Sequence, residues 1–291
     1  MTQAQARAGL LIMVAVTIGG AADSVIVRLL AGDIPAMQIG FTRALFGVLA
    51  LAPLLAARPG LLRTQARWSH VLRAGLKLMS LVLLFAALQR APLATVTAIG
   101  FASPLFVALG AWALLSEAPD SLRGAGLVLG FAGIVVILGP ALGEAQGLAL
   151  MLALGSAVLT ASIQLMLKVM GRADGALTLV AWNLIVSVPL ALLPAAAVWV
   201  WPTPEQWALL AAQGAIGTAC QLGVTRALQL ADASLVAPVD FLRLPFVALA
   251  AWVVFAEMPP LATFIGGAMV FAAVMVLSLA ARPRRGLPSR G

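Results

Sequence analysis

Six charged side chains stand inside long apolar stretches and are the first candidates for chemistry: Asp23, Arg43, Lys77, Arg226, Asp240 and Arg243. A charge at the middle of a bilayer costs at least about 2.5–3.5 kcal/mol, so one kept there has a partner, a wet cavity or a ligand. Four cations against two acids favour a ligand with a carboxylate or another anionic group. Arg43 leads, because a planar guanidinium can hold a carboxylate through two parallel hydrogen bonds. Its competing role is a structural ion pair with Asp23. Lys77 and Arg226 can instead snorkel to the interface. Asp240 and Arg243, three residues apart, lie on neighbouring faces and can simply pair with each other. A coupling proton would have to use Asp23 or Asp240. Gln164, Asn183 and Gln221 either bind ligand or bond between helices. Phe101 and Trp182 offer an apolar wall for a ligand, or plain packing surface.

The elements that position these residues follow from composition. The chain has 291 residues, 63% hydrophobic and 10% charged. A soluble domain is about a quarter charged, so so few charges exclude a soluble enzyme and leave an all-α polytopic membrane protein. Ten stretches are long enough to span: about 8–31, 34–57, 68–89, 93–115, 121–139, 146–170, 174–199, 205–230, 234–256 and 260–281. With the N-terminus cytoplasmic, twelve cations fall on inner segments and two, Arg28 and Arg90, on outer ones. This bias predicts both termini in the cytoplasm of a bacterial-type inner membrane and assigns the net charge of +8 to topology, not to nucleic acid. Trp68, Trp199, Trp201 and Trp207 read as interfacial anchors. Cys220 and His70 are the single cysteine and histidine, which leaves no metal cluster; no phosphate-binding G-x-x-x-x-G-K-[ST] loop occurs, and no cofactor is expected.

The two halves resemble each other at an offset of 140 residues. Pro104 to Trp112 faces Leu244 to Trp252, Ala87 to Ala91 faces Ala227 to Ala231, and Glu117 and Pro119 face Glu257 and Pro259. Matches at Phe101 and Phe241, and at Phe131 and Phe271, are not the cheap coincidences of Leu and Ala. Five spans per half is an odd number, so the second half enters the membrane inverted. The predicted units are 1–140 and 146–281, followed by a basic tail, 282–291. Pro104 and Pro245 fall mid-span at similar depths, and a proline there frees a backbone carbonyl. Both are expected to act as hinges beside a cavity. The Gly126–Gly130 spacing predicts close helix packing, more within one chain than between copies.

Phe41-Thr42-Arg43, Ala87-Leu-Gln-Arg-Ala-Pro-Leu-Ala94, Ser103-Pro104 and Glu117 resemble the EamA domain of the drug/metabolite transporter superfamily. The resemblance covers essentially the whole chain as two halves. It implies a ten-helix, export-type carrier of small metabolites, often amino acids, with helices one to four and six to nine around a central cavity and five and ten peripheral. The second half departs from the pattern: Asn183 or Leu184 stands where Arg43 does, and Leu230 replaces Arg90. The sequence reading is therefore a secondary or facilitative carrier working by alternating access. Its partners are a small-molecule substrate and membrane lipids, with a coupling proton on one of the two acids, and it is a monomer or weak homodimer. The alternative is a lipid or lipid-precursor flippase on the same fold. An intramembrane enzyme lacks a catalytic constellation, and a scaffold has no need of buried charges in matched halves.

Overall fold

The computed structural model describes residues 3–64, 66–115, 121–141, 146–170, 175–231 and 239–280. The helices are α1 (Gln3–Leu29), α2 (Ala36–Ala57), α3 (Arg67–Leu88), α4 (Leu93–Gly100), α5 (Ser103–Leu115) and α6 (Ser121–Leu138). They continue as α7 (Gly147–Met170), α8 (Ala176–Ala197), α9 (Pro204–Leu230), α10 (Arg243–Phe255) and α11 (Leu261–Ala280). Among the described residues, eight helical segments are long and apolar enough to cross a membrane, α4 and α5 together forming one of them; α10 and α11 contribute shorter apolar helices. Leu11, Val128, Leu193 and Val253 point outward from four different helices, each about 70% exposed or more. Water would penalise such faces, whereas hydrocarbon would not.

Two expected spans, 93–115 and 234–256, differ from continuous helices. The first breaks at Phe101-Ala102, between α4 and α5, and the second has its turn at Phe241-Leu242, immediately before α10. Both breaks are tight turns of the same pattern. Ala102 N–H donates to the Ile99 carbonyl at 2.9 Å, and Leu242 N–H to the Val239 carbonyl at 3.0 Å. Pro104 and Pro245 therefore stand in the first turn of α5 and of α10, where a proline's missing N–H costs little. They follow the breaks and do not kink a continuous helix.

Small residues set the close packings. A Cβ on Gly133 would come within 2.8 Å of the Gly266 carbonyl oxygen, so α6 and α11 meet backbone to backbone. Gly126 faces the same helix, and Gly130 lies between Leu105 of α5 and Ala273 of α11. Gly19 sits against Cys220, and Gly9 against Ala231, which runs α1 antiparallel to α9. Ser80 on α3 bonds Ser156 and Thr160 on α7 at 2.9–3.1 Å.

The bundle has two unlike ends. At the tryptophan end, the turns near residues 30–35, 89–92, 198–203 and 256–260 are tied together. The Gln38 amide donates to the Val200 carbonyl at 2.7 Å and accepts from Val200 N–H at 2.9 Å. Gln89 donates to the Ile34 carbonyl at 2.8 Å, and Gln206 to Asp33 at 3.0 Å. Arg28 donates to Glu257 at 2.5 Å and to the Leu88 carbonyl at 3.1 Å, while the other Glu257 oxygen accepts Leu93 N–H at 3.3 Å. That carboxylate thus caps α4, the favoured place for negative charge. Phe41, Trp199 and Trp207 close the same end with edge-on and tilted ring contacts. At the opposite, arginine end, Trp182 Nε1 donates to the Leu62 carbonyl at 3.2 Å and its ring stacks on His70.

Candidate functional site

A cavity of about 470 Å³ lies between these ends. Three helices and the turn before α10 bring its charges together. Arg43 comes from α2, Arg73 and Lys77 from α3, and Arg243 from the start of α10; Asp240, just ahead of the α10 turn, is the acid in the lining. Arg73 and Lys77 are one helical turn apart and share a face. Asn183 from α8, Gln164 and Thr160 from α7, and Gln221 and Thr225 from α9 supply uncharged polar groups. Val16, Leu81, Ile163 and Val180 supply apolar wall, and among the described lining residues no side chain is aromatic.

Arg43 is held in place. Its Nη1 donates to Asp23 Oδ1, both side chains are about nine-tenths buried, and the guanidinium lies 5.6 Å from the centre of the Phe85 ring. Gly217 makes room for it: a Cβ there would collide with the Arg43 guanidinium. Asp23 stands behind Arg43 and is not in the lining. An Arg paired to one carboxylate still has donors left for a second. Arg43 is thus both a buried ion pair and a cavity wall.

Arg243 does not pair with Asp240. Its Nη2 donates to the Gly20 carbonyl at 3.3 Å and to Ser24 Oγ at 3.4 Å, and its Nε has no hydrogen-bond partner among the described residues. Arg226 lies outside the lining, exposed, and donates to Gln229 at 3.2 Å. Phe101 is not in the lining either. Its ring stacks on Phe241 with centroids 4.4 Å apart, so the two helix breaks touch each other. Trp182 stacks on His70 and is likewise no cavity wall. Pro104 and Pro245 do not line the cavity, although Asp240 and Arg243 beside the second break do.

Arg73, one of the twelve cations on the inner segments, lines the cavity and donates to the Leu179 carbonyl at 2.8 Å. Its position four residues before Lys77 is the signal that would have found it. Thr160, Cys220 and Thr225 carried no such signal, because a lone hydroxyl or thiol in an apolar helix is ordinary and does not by itself mark a site.

A bundle of membrane-length apolar helices around a charged cavity of solute size fits a membrane transport protein. The EamA-like transporter family profile matches residues 7–139 and again 147–279, and the chain belongs to that family. It is 34% identical to a riboflavin transporter of Vibrio cholerae serotype O1 over 75% of this chain and 72% of the relative. It is 27% identical to an S-adenosylmethionine uptake transporter of Rickettsia prowazekii over 88% and 87%. A solved structure titled "Crystal structure of protein" superposes with a TM-score of 0.63 at 20% identity, covering 97% of this chain and 99% of that one. That likeness speaks to the fold alone. The protein is a multi-pass membrane transporter of small metabolites.

Proposed function

We propose that the chain is a secondary or facilitative carrier of a small carboxylate-bearing metabolite, an amino acid or related amphiphile. It works by alternating access between two inverted five-helix repeats, 1–140 and 146–281. The observation that carries the substrate class is the cavity lining: four cations, one acid and no aromatic ring among its described residues. Such a wall attracts an anionic group, and in a partly dehydrated site each charged hydrogen bond counts for more than in water. Riboflavin, the named substrate of the Vibrio cholerae relative, is uncharged and offers a flat ring system that aromatic side chains would stack on. The lining favours an anionic solute over a flavin.

The repeat reading is supported by two family matches of nearly equal length and by the helix breaks at Phe101 and Phe241, 140 residues apart. The helix pairings repeat the pattern too: α1 packs on α9 as α7 packs on α3, and α2 packs on α8. In this reading both termini are cytoplasmic and the protein sits in a bacterial-type inner membrane. The arginine end then faces the cytoplasm, and export is the direction that the family resemblance implies. Coupling falls to Asp240, because Asp23 is engaged by Arg43. Asp240→Asn should keep solute exchange while losing accumulation driven by a pH gradient, measured side by side in liposomes. Equal loss of both contradicts a coupling role.

The experiment for the substrate class is counterflow with purified protein in liposomes, using labelled amino acids, organic anions, riboflavin and S-adenosylmethionine. Saturable exchange of a carboxylate-bearing solute is expected. Exchange of riboflavin alone overturns the substrate class. Lipid scrambling without exchange of any solute overturns the carrier.

A further inference from the structure

Gln213 is fully buried on α9, yet neither its amide nitrogen nor its amide oxygen has a hydrogen-bond partner among the described residues. An unpartnered buried amide is costly, and one kept in a native protein calls for a reason. Gln213 stands one helical turn from Gly217, whose missing Cβ leaves space for the Arg43 guanidinium. The next residue, Gly214, lies against Phe46 and the Arg43 carbonyl. Gln213 therefore borders the α2–α9 seam, one turn from the Arg43–Asp23 pair toward the tryptophan end.

The repeat offset gives this position a counterpart. Lys77 and Gly217 are 140 residues apart and both line the cavity, as do Leu81 and Gln221. Arg73 and Gln213 are also 140 residues apart, but only Arg73 lines it. Arg73 belongs to the arm of the cavity that reaches toward the arginine end. Inverting the repeats carries that arm to the tryptophan end and places Gln213 where Arg73 stands now.

We propose that Gln213 is a substrate-contacting residue of a second vestibule, which opens toward the tryptophan end when the Arg28–Glu257 contact parts. This rests on the inverted-repeat carrier reading above. There the amide meets both water and the passing solute: its N–H groups donate to a carboxylate and its oxygen accepts from an ammonium. The lost partners of the closed state are recovered in the open one. The vestibule thus ends in a neutral, two-way polar group where the arginine end has a cation. A zwitterion suits that exchange better than a doubly charged anion.

The test places a cysteine at the position and keeps Cys220, which lines the central cavity, as an internal reporter. Gln213→Cys, with and without Arg28→Ala, is exposed to a membrane-impermeant thiosulfonate from each side of oriented vesicles, and labelling at each thiol is resolved by mass spectrometry. Adding Arg28→Ala should speed labelling at position 213 from the tryptophan end at least about tenfold, a shift in population toward the open state. Labelling of Cys220 should move to the same side. If Cys220 switches sides while position 213 stays protected, the proposal is overturned and the carrier reading stands. If Cys220 does not switch, the alternating reading falls and takes the proposal with it. A second variant needs no thiol. Gln213→Leu removes the unpartnered amide, so it should raise the melting temperature while lowering counterflow at least about fivefold. A leucine variant that is stable and transports at the wild-type rate overturns the proposal.

Discussion

The tryptophan end and the arginine end of the bundle are built from related helices, yet they are held by different means. At the tryptophan end, side chains bond to backbone across chain-distant turns, Gln38 to Val200, Gln89 to Ile34 and Arg28 to the Leu88 carbonyl, and Arg28 also pairs with the Glu257 carboxylate. At the arginine end, Trp182 reaches the Leu62 carbonyl and Arg73 the Leu179 carbonyl, and the Arg73 side chain also forms part of the cavity wall. One end spends its polar groups on closure, and the other presents several of them to the cavity. Most closing contacts are single hydrogen bonds, each worth only about 0.5–1.5 kcal/mol net. Such an end is shut firmly but can be opened by a modest change in binding energy.

The largest expected effect comes from Arg43, which belongs to both the packing and the cavity. Arg43→Ala leaves Asp23 buried and unpaired, which should cost about 3–5 kcal/mol of stability and nearly abolish counterflow. Removing Asp23 as well should restore much of the melting temperature and none of the transport. A double variant that regains transport would reduce Arg43 to a structural role. Arg43→Lys keeps the charge, loses the fork, and should weaken substrate binding with a smaller loss of stability.

Next comes Arg28→Ala. It removes the ion pair that ties α1 to the segment after α10, together with two bonds to carbonyls at the α3–α4 corner. A loss of roughly 2 kcal/mol from the closed end shifts the two facing states by about thirtyfold. The expected readout is protease or thiol accessibility that rises at the tryptophan end alone. Equal exposure of both ends would mean general loosening and would contradict the comparison. Gln38→Leu breaks the paired bonds to Val200 and should cost about 1–2 kcal/mol by thermal melting, with the same one-sided opening on a smaller scale. The smallest effect belongs to Thr95→Val, which loses one hydroxyl contact to Thr263 at 2.9 Å and should move stability by about 1 kcal/mol or less.

Much of this contrast is invisible along the chain. Hydropathy located the apolar segments because a bilayer imposes length and composition directly. In-span charge singled out Arg43, Lys77, Asp240 and Arg243, all of which the structure gathers at one cavity. What hydropathy could not supply is register. Arg28 read only as an outer cation, since its partner Glu257 lies 229 residues away and is chosen by how α1 packs. Asp240 and Arg243 suggested each other by their spacing, but the start of α10 aims Arg243 at Gly20 and Ser24 on α1. Phe101 suggested a wall facing a ligand. Its helix turns at that residue, and the ring stacks instead on its counterpart in the other half. In each case charge type or residue type was readable, and the tertiary partner was not.

The account stands on the two ends exchanging states, so the most direct measurement follows both at once. Spin labels at Trp201 and Met258 report the tryptophan end, and labels at Trp68 and Arg226 report the arginine end; all four side chains are exposed. Distances by electron–electron double resonance in lipid nanodiscs would be compared between the protein with Arg28 intact and its Arg28→Ala variant. The account predicts that the Trp201–Met258 distance lengthens while the Trp68–Arg226 distance shortens. A lengthened first distance with an unchanged second would show that the ends move independently, and would contradict alternating access around this cavity.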